Sequence, residues 1–140
     1  MIKYRKLPDN IDQLLPKAEA YLQARPDVAF GYLFGSFARG KTGPLSDIDI
    51  AVYLKESQQI PEKKMEILGD LIDLLQTDEI DLVIINAAPL PIRMKIIANR
   101  KVIADNAPFL RHRYESLTMR QYFDFEVREM GILQRRFHLG

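Results

Sequence analysis

Gly35 and Ser36 are followed, after ten intervening residues, by Asp47-Ile48-Asp49. On a β-strand, residues two apart point to one face, about 6.6–6.8 Å along the chain. Asp47 and Asp49 are therefore expected to project together, with Ile48, Ile50 and Val52 facing the other way. Asp81 lies in a second strand-like run, EIDLVII, on the face opposite Ile80, Leu82 and Ile84. If the two strands are neighbours, three carboxylates gather at one edge of a sheet. Bare carboxylates in such a group repel one another and are desolvated by their neighbours. A divalent cation removes that cost, and Mg²⁺ favours a few carboxylates completed by water and substrate phosphates. Two such ions, about 3.5–4 Å apart, stabilise both the attacking and the leaving oxygen of an in-line phosphoryl displacement. Gly35 lets a phosphate come close to the backbone, and Ser36 supplies a hydroxyl and an N–H at the start of a helical turn. Arg39 and Lys41 are near enough in sequence to neutralise phosphate charge.

The elements that must position these groups alternate between helix and strand. Residues 9–25 carry Ile11, Leu14, Leu15, Ala18 and Leu22 at helical spacing, with Pro16 predicting a kink or a fresh helix start. Residues 28–34 read as a buried strand, 35–46 as a glycine-rich turn with at most one helical turn, and 47–54 as an alternating strand. Pro61 opens a helix expected to place Met65, Leu68, Leu71, Ile72 and Leu75 on one face, behind a solvated Glu62-Lys63-Lys64. A third strand spans residues 79–85, a helix lies near 91–99, and a short fourth strand covers 101–104. Residues 116–137 form a long helix, with Met119, Phe123, Val127, Met130, Leu133 and Phe137 at steps of three and four. The expected fold is α/β: a small mixed β-sheet flanked by helices, with a long C-terminal helix.

The chain has 140 residues, suited to a single domain able to hold its own core. Cysteine is absent, which excludes disulfides and thiolate zinc sites. No signal peptide or transmembrane run is apparent, so a soluble, cytoplasmic protein without a membrane partner is expected. The net charge of +1 supplies no overall field for nucleic acid. Its distribution is uneven, because residues 109–140 hold six Arg against four acids and six of the 13 aromatics. A stripe of this kind most often covers a sheet. Its Arg and aromatic content also suits an interface, with a partner or with another copy through the C-terminal helix. His112 and His138 read as surface residues, and Tyr4, Tyr32 and Tyr53 as structural.

The segment GSFARGKTGPLSDIDIAVYL resembles the motif region of the minimal nucleotidyltransferases (MNT) of the DNA polymerase β-like superfamily, with GS-x₁₀-D-x-D in full. By chance that pattern occurs in about one in five hundred chains of this length. The resemblance spans roughly residues 10–105, the core, and leaves a helical tail at about 109–140. It implies Mg²⁺-dependent transfer of a nucleoside monophosphate with release of pyrophosphate. Asp47 and Asp49 would be metal ligands, with Asp81 the third carboxylate, aiding metal binding or deprotonation of the attacking hydroxyl. Gly35 and Ser36 would hold the triphosphate, with Arg39 beside them. The tail RHRYESLTMRQYFDFE is similar to that of MNT antitoxins paired with HEPN-domain ribonuclease toxins. For that group the resemblance implies AMP transfer from ATP to a tyrosine hydroxyl of the toxin.

Three other readings meet the same residues. Residues 35–42 satisfy the P-loop pattern G-x₄-G-K-[ST], but Gly43 and Pro44 follow at once and leave no room for the helix a P-loop requires. A binding module that keeps the fold and silences a partner by contact stays open, since intact ligands do not prove turnover, although a repelling acidic triad favours an enzyme. Transfer to a small molecule or RNA lacks a further domain to hold the acceptor.

Overall fold

The computed structural model of the chain describes residues 7–38 and 47–137. Seven consecutive apolar or aromatic-rich positions, VAFGYLF, form a strand buried along its whole length, as a central strand covered on both faces must be. The elements run α1 (Ile11–Ala24), β1 (Val28–Phe34), α2 (Gly35–Ala38), β2 (Ile48–Leu54), α3 (Ile60–Leu75), β3 (Ile80–Ile84), α4 (Leu90–Ala98), β4 (Lys101–Asp105) and α5 (Pro108–Phe137). The sheet order is β3-β2-β1-β4. β1 pairs antiparallel with β2 and β4, whereas β2 and β3 are parallel, joined through α3. The sheet is therefore mixed, as expected.

Alternation along the strands sorts two apolar layers. Ile48, Ile50, Val52 and Leu54 of β2 join Ile80 and Leu82 of β3 against Leu14, Ala18 and Leu22 of α1 and Ile67, Leu71 and Leu75 of α3. On the reverse face Phe30, Tyr32 and Phe34 of β1 meet Ala51, Ile85 and Ile96, with Tyr53, Leu110 and Tyr114 packed against them. α1 stays one helix through Pro16, where the missing N–H removes a single intrahelical bond. In α3 the buried line is Ile67, Leu71 and Leu75, and Met65, expected on that face, is 67% exposed. Leu68 and Ile72 sit at the edge of the layer.

The C-terminal helix departs most from expectation. It begins at Pro108, eight residues before the 116 read from sequence, because Leu110 and Tyr114 pack onto the sheet. Glu115 of this helix is buried. Its carboxylate accepts a hydrogen bond from the Tyr32 hydroxyl at 2.7 Å and faces Arg100 at 3.0 Å and Arg111 at 3.2 Å. Arg111 in turn makes a two-pronged contact with Asp105 at 3.0 Å for each prong. Burial, followed by the Glu115 contact, pushes the Tyr32 phenol well above its ordinary value. Beyond Thr118 no side chain described in α5 is buried, and Met119, Phe123, Val127 and Met130 are exposed. Of the apolar stripe, read from sequence as sheet cover or as an interface, the described members after Thr118 stay exposed and do not cover the sheet. Among the described residues no helix is long and apolar enough to cross a membrane.

Candidate active site

β1 delivers the chain into a turn that only glycine fits comfortably. Gly35, the first residue of α2, has φ +72°, in the left-handed region. A methyl group built there would collide with the Asp49 carboxylate, so the Asp49 side chain leans over the bare backbone of Gly35. That contact follows from pairing, since Asp49 lies opposite Phe34 in the antiparallel β1–β2 ladder. Ser36 follows in the single turn of α2, half-buried. The helical turn thus starts at the glycine itself, where a P-loop would place an open loop.

On the other side of β2, the parallel register sets Asp49 directly beside Asp81. Adjacent strands are about 4.8 Å apart, so the two backbones carry their acids abreast. Asp81 is exposed, with buried Ile80 and Leu82 on either side of it, as the alternation requires. Asp47 immediately precedes β2 and is half-buried. The main-chain N–H of Ile48 donates to the carbonyl of Glu79 at 2.9 Å, which ties the starts of β2 and β3 together. Glu79 itself is buried. Sequence reading assigned this carboxylate no role, although it stands two residues before Asp81. Arg39 and Lys41 lie outside the described residues, as do Tyr4 and His138.

Among the described residues no three His, Cys, Asp or Glu side chains form a ready-made metal cage. The donor set still suits Mg²⁺, a hard ion that takes one or two carboxylates and draws its other oxygens from water and phosphates. Asp49, leaning over the glycine turn and level with Asp81, offers carboxylate oxygens where a triphosphate could approach the backbone.

The family model for polymerase beta nucleotidyltransferases matches residues 16–108, which include the glycine turn and all three aspartates. The chain belongs to that family. Its fold recurs in solved structures. One, described as a toxin-antitoxin with AMP-PNP, superposes with a TM-score of 0.68 at 22% identity, over 87% of this chain and 98% of the other. A second, the toxin-antitoxin MntA-HepT, has a TM-score of 0.63 at 21% identity, over 89% and 98%. A third is a tri-AMPylated Shewanella oneidensis HEPN toxin in complex with MNT antitoxin, with a TM-score of 0.58 at 21% identity, over 92% and 94%. No curated protein matches the chain. The family-model match ends at residue 108, where α5 begins.

The reverse end of this sheet face holds groups that sequence reading treated as ordinary. Tyr53 stacks on Phe30 with ring centroids 4.9 Å apart, and Tyr114 meets Tyr53 edge-on at 5.3 Å. The Tyr114 hydroxyl donates to the Ile85 carbonyl at 2.9 Å, and burial pushes its phenol well up. Tyr32 and Tyr53 are structural, as expected, and His112 is exposed. A cleft of about 540 Å³ opens beside Tyr53, lined by Phe109, Arg113, Leu117 and Arg120 of α5. It lies at the aromatic end, away from Asp49 along β2.

Proposed function

We propose that this nucleotidyltransferase moves AMP from ATP onto a hydroxyl, most specifically a tyrosine of a HEPN-type ribonuclease toxin, and so acts as the toxin's antitoxin. One observation carries the reading: the Asp49 carboxylate stands over a left-handed glycine at the head of the Ser36 turn, level with Asp81. The family assignment supports the reaction class. The AMP-PNP of one similar structure and the AMPylated toxin of another support the nucleotide and the acceptor.

In the proposed reaction the acceptor hydroxyl oxygen attacks the α-phosphorus of ATP. The bond from that phosphorus to the bridging oxygen breaks, pyrophosphate leaves, and a phosphodiester joins AMP to the acceptor. The hydroxyl proton passes to a carboxylate, a role for Asp81 at the exposed edge. Gly35 and Ser36 receive the triphosphate at the backbone, with Arg39 in the adjoining segment. Asp47, Asp49 and Asp81 would hold Mg²⁺, which supplies charge neutralisation of the phosphates. Such transfer asks the protein mainly for positioning and electrostatics.

Intact-mass spectrometry tests the reading. The protein, Mg²⁺ and each nucleoside triphosphate are incubated with a HEPN-type toxin. The expected result is an adenylyl gain on the toxin from ATP, lost when Asp47→Ala or Asp49→Ala replaces the native chain. A complex that forms without any gain in mass would overturn transfer in favour of inhibition by contact.

A further inference from the structure

The two edges of the sheet are finished differently. β4 begins with Lys101 and pairs with β1 through a register shift at Gly31–Tyr32. Its Asp105 N–H donates to the Gln23 side-chain carbonyl at 3.1 Å. Lysine, irregular pairing and occupied backbone groups keep an edge from joining another chain. β3, at the opposite edge, contains neither lysine nor proline, and among the described residues its one strand partner is β2. Two bonds fix which way its backbone faces. The Ile48 N–H donates to the Glu79 carbonyl at 2.9 Å, and the Ile85 N–H donates to the Val52 carbonyl at 3.0 Å. Successive residues of a strand direct their N–H and C=O groups to opposite sides. Odd-numbered residues of β3 therefore bond to β2, and the N–H and C=O of Ile80, Leu82 and Ile84 point outward from the sheet.

A row of outward N–H and C=O groups is matched by an extended peptide backbone. We propose that an extended segment of the acceptor protein adds to β3 as a fifth strand and so presents its hydroxyl to the aspartates. This inference rests on the transfer reaction proposed above. Asp81 links the edge to the chemistry, because it is the exposed residue of β3 and stands level with Asp49. An antiparallel segment bonds to Ile80, Leu82 and Ile84. The residue opposite Asp81 then falls in a non-hydrogen-bonded pair, with Cα atoms about 4.5 Å apart and side chains at their closest. It shares the sheet face of Asp81 and Asp49, and strand spacing of about 4.8 Å sets it two strands from Asp49. A tyrosine at that position leans across Asp81 toward a phosphate held beside Asp49, whereas a serine hydroxyl falls short. The edge thus selects a long acceptor side chain on an extended segment.

Amide hydrogen exchange followed by NMR reads the edge residue by residue, on the full chain alone and with a HEPN-type toxin in the absence of ATP. Alone, the amides of Ile80, Leu82 and Ile84 should exchange at least about tenfold faster than those of Asp81 and Val83, which bond to β2. In the complex those three should slow by about tenfold or more. Ile84→Pro removes one outward N–H and keeps the β2 ladder whole, since proline is tolerated where the N–H faces away from the sheet. It should raise KM for the toxin by roughly five- to tenfold and leave KM for ATP unchanged. Circular dichroism checks that the variant folds, and exchange in the native chain decides the matter if it does not. Slow exchange at the three amides in the chain alone overturns the proposal, because another segment or a second copy then holds the edge. Fast exchange that persists in a complex competent for adenylyl transfer overturns it too, and spares the reaction. A toxin that gains no adenylyl group removes the reaction and the role of the edge together.

Discussion

The sheet face beneath α4 and α5 has two ends made by the same alternation of strand residues and put to opposite uses. At one end Phe30, Tyr53 and Tyr114 stack into a ring cluster, and Glu115 sits buried among Tyr32, Arg100 and Arg111. At the other end Asp49 and Asp81 stand level, and Asp81 is exposed. A carboxylate occurs at each. Glu115 has its charge answered by arginines, so it serves as an anchor. The two aspartates are set side by side on neighbouring strands, a repelling arrangement that suits a cation-bound phosphate. The cover makes the difference, because α5 crosses the aromatic end.

The contrast breaks most visibly at Asp49. Asp49→Ala should lower nucleotide transfer by about a thousandfold or more while thermal stability stays close to native, measured by adduct formation and calorimetry. A large loss of stability would make Asp49 part of the scaffold. Glu115→Ala should do the reverse. It removes the carboxylate that two arginines and a phenol share, with an expected cost of about 3–5 kcal/mol in denaturant unfolding. A change below about 1 kcal/mol would show that the buried network does not anchor α5.

Alkaline titration sharpens the comparison further. Tyr32 and Tyr114 have folded pKa values raised above that of a free phenol, chiefly by burial. Above about pH 10 the unfolded chain releases these protons while the folded chain keeps them. Stability from both groups is therefore complete below pH 10 and declines as pH rises further. Tyr114→Phe should make that decline shallower. The same substitution deletes the hydroxyl contact to Ile85, with an expected cost near neutral pH of about 1 kcal/mol. It should leave nucleotide transfer unchanged.

Most of what positions the aspartates is local and could be read from sequence. The apolar run 28–34, the single turn after Gly35 and the alternation around Asp81 each depend on near neighbours, and each appears as expected. The face of α3 was misjudged at Met65 because helical spacing offered two adjacent stripes, and only tertiary packing selects Ile67. Glu115 was missed because its meaning depends on Tyr32, 83 residues away, and on Arg100 from another element. The distal arm reads from sequence as either core or interface for a related reason. A periodic apolar stripe records that something covers it, and says nothing about which molecule does.

The parallel register of β2 and β3 governs how this protein can be rebuilt. Asp81 faces its neighbour only while the strand phase is kept, and a slip of a single position would turn it into the oily layer with Ile80 and Leu82. The exposed loop at residues 55–59, between β2 and α3, is a spacer whose length can change while α3 keeps its seat in the core and holds the phase. Engineers could graft new loops or whole inserts there, at the surface, and still keep the two acids in step.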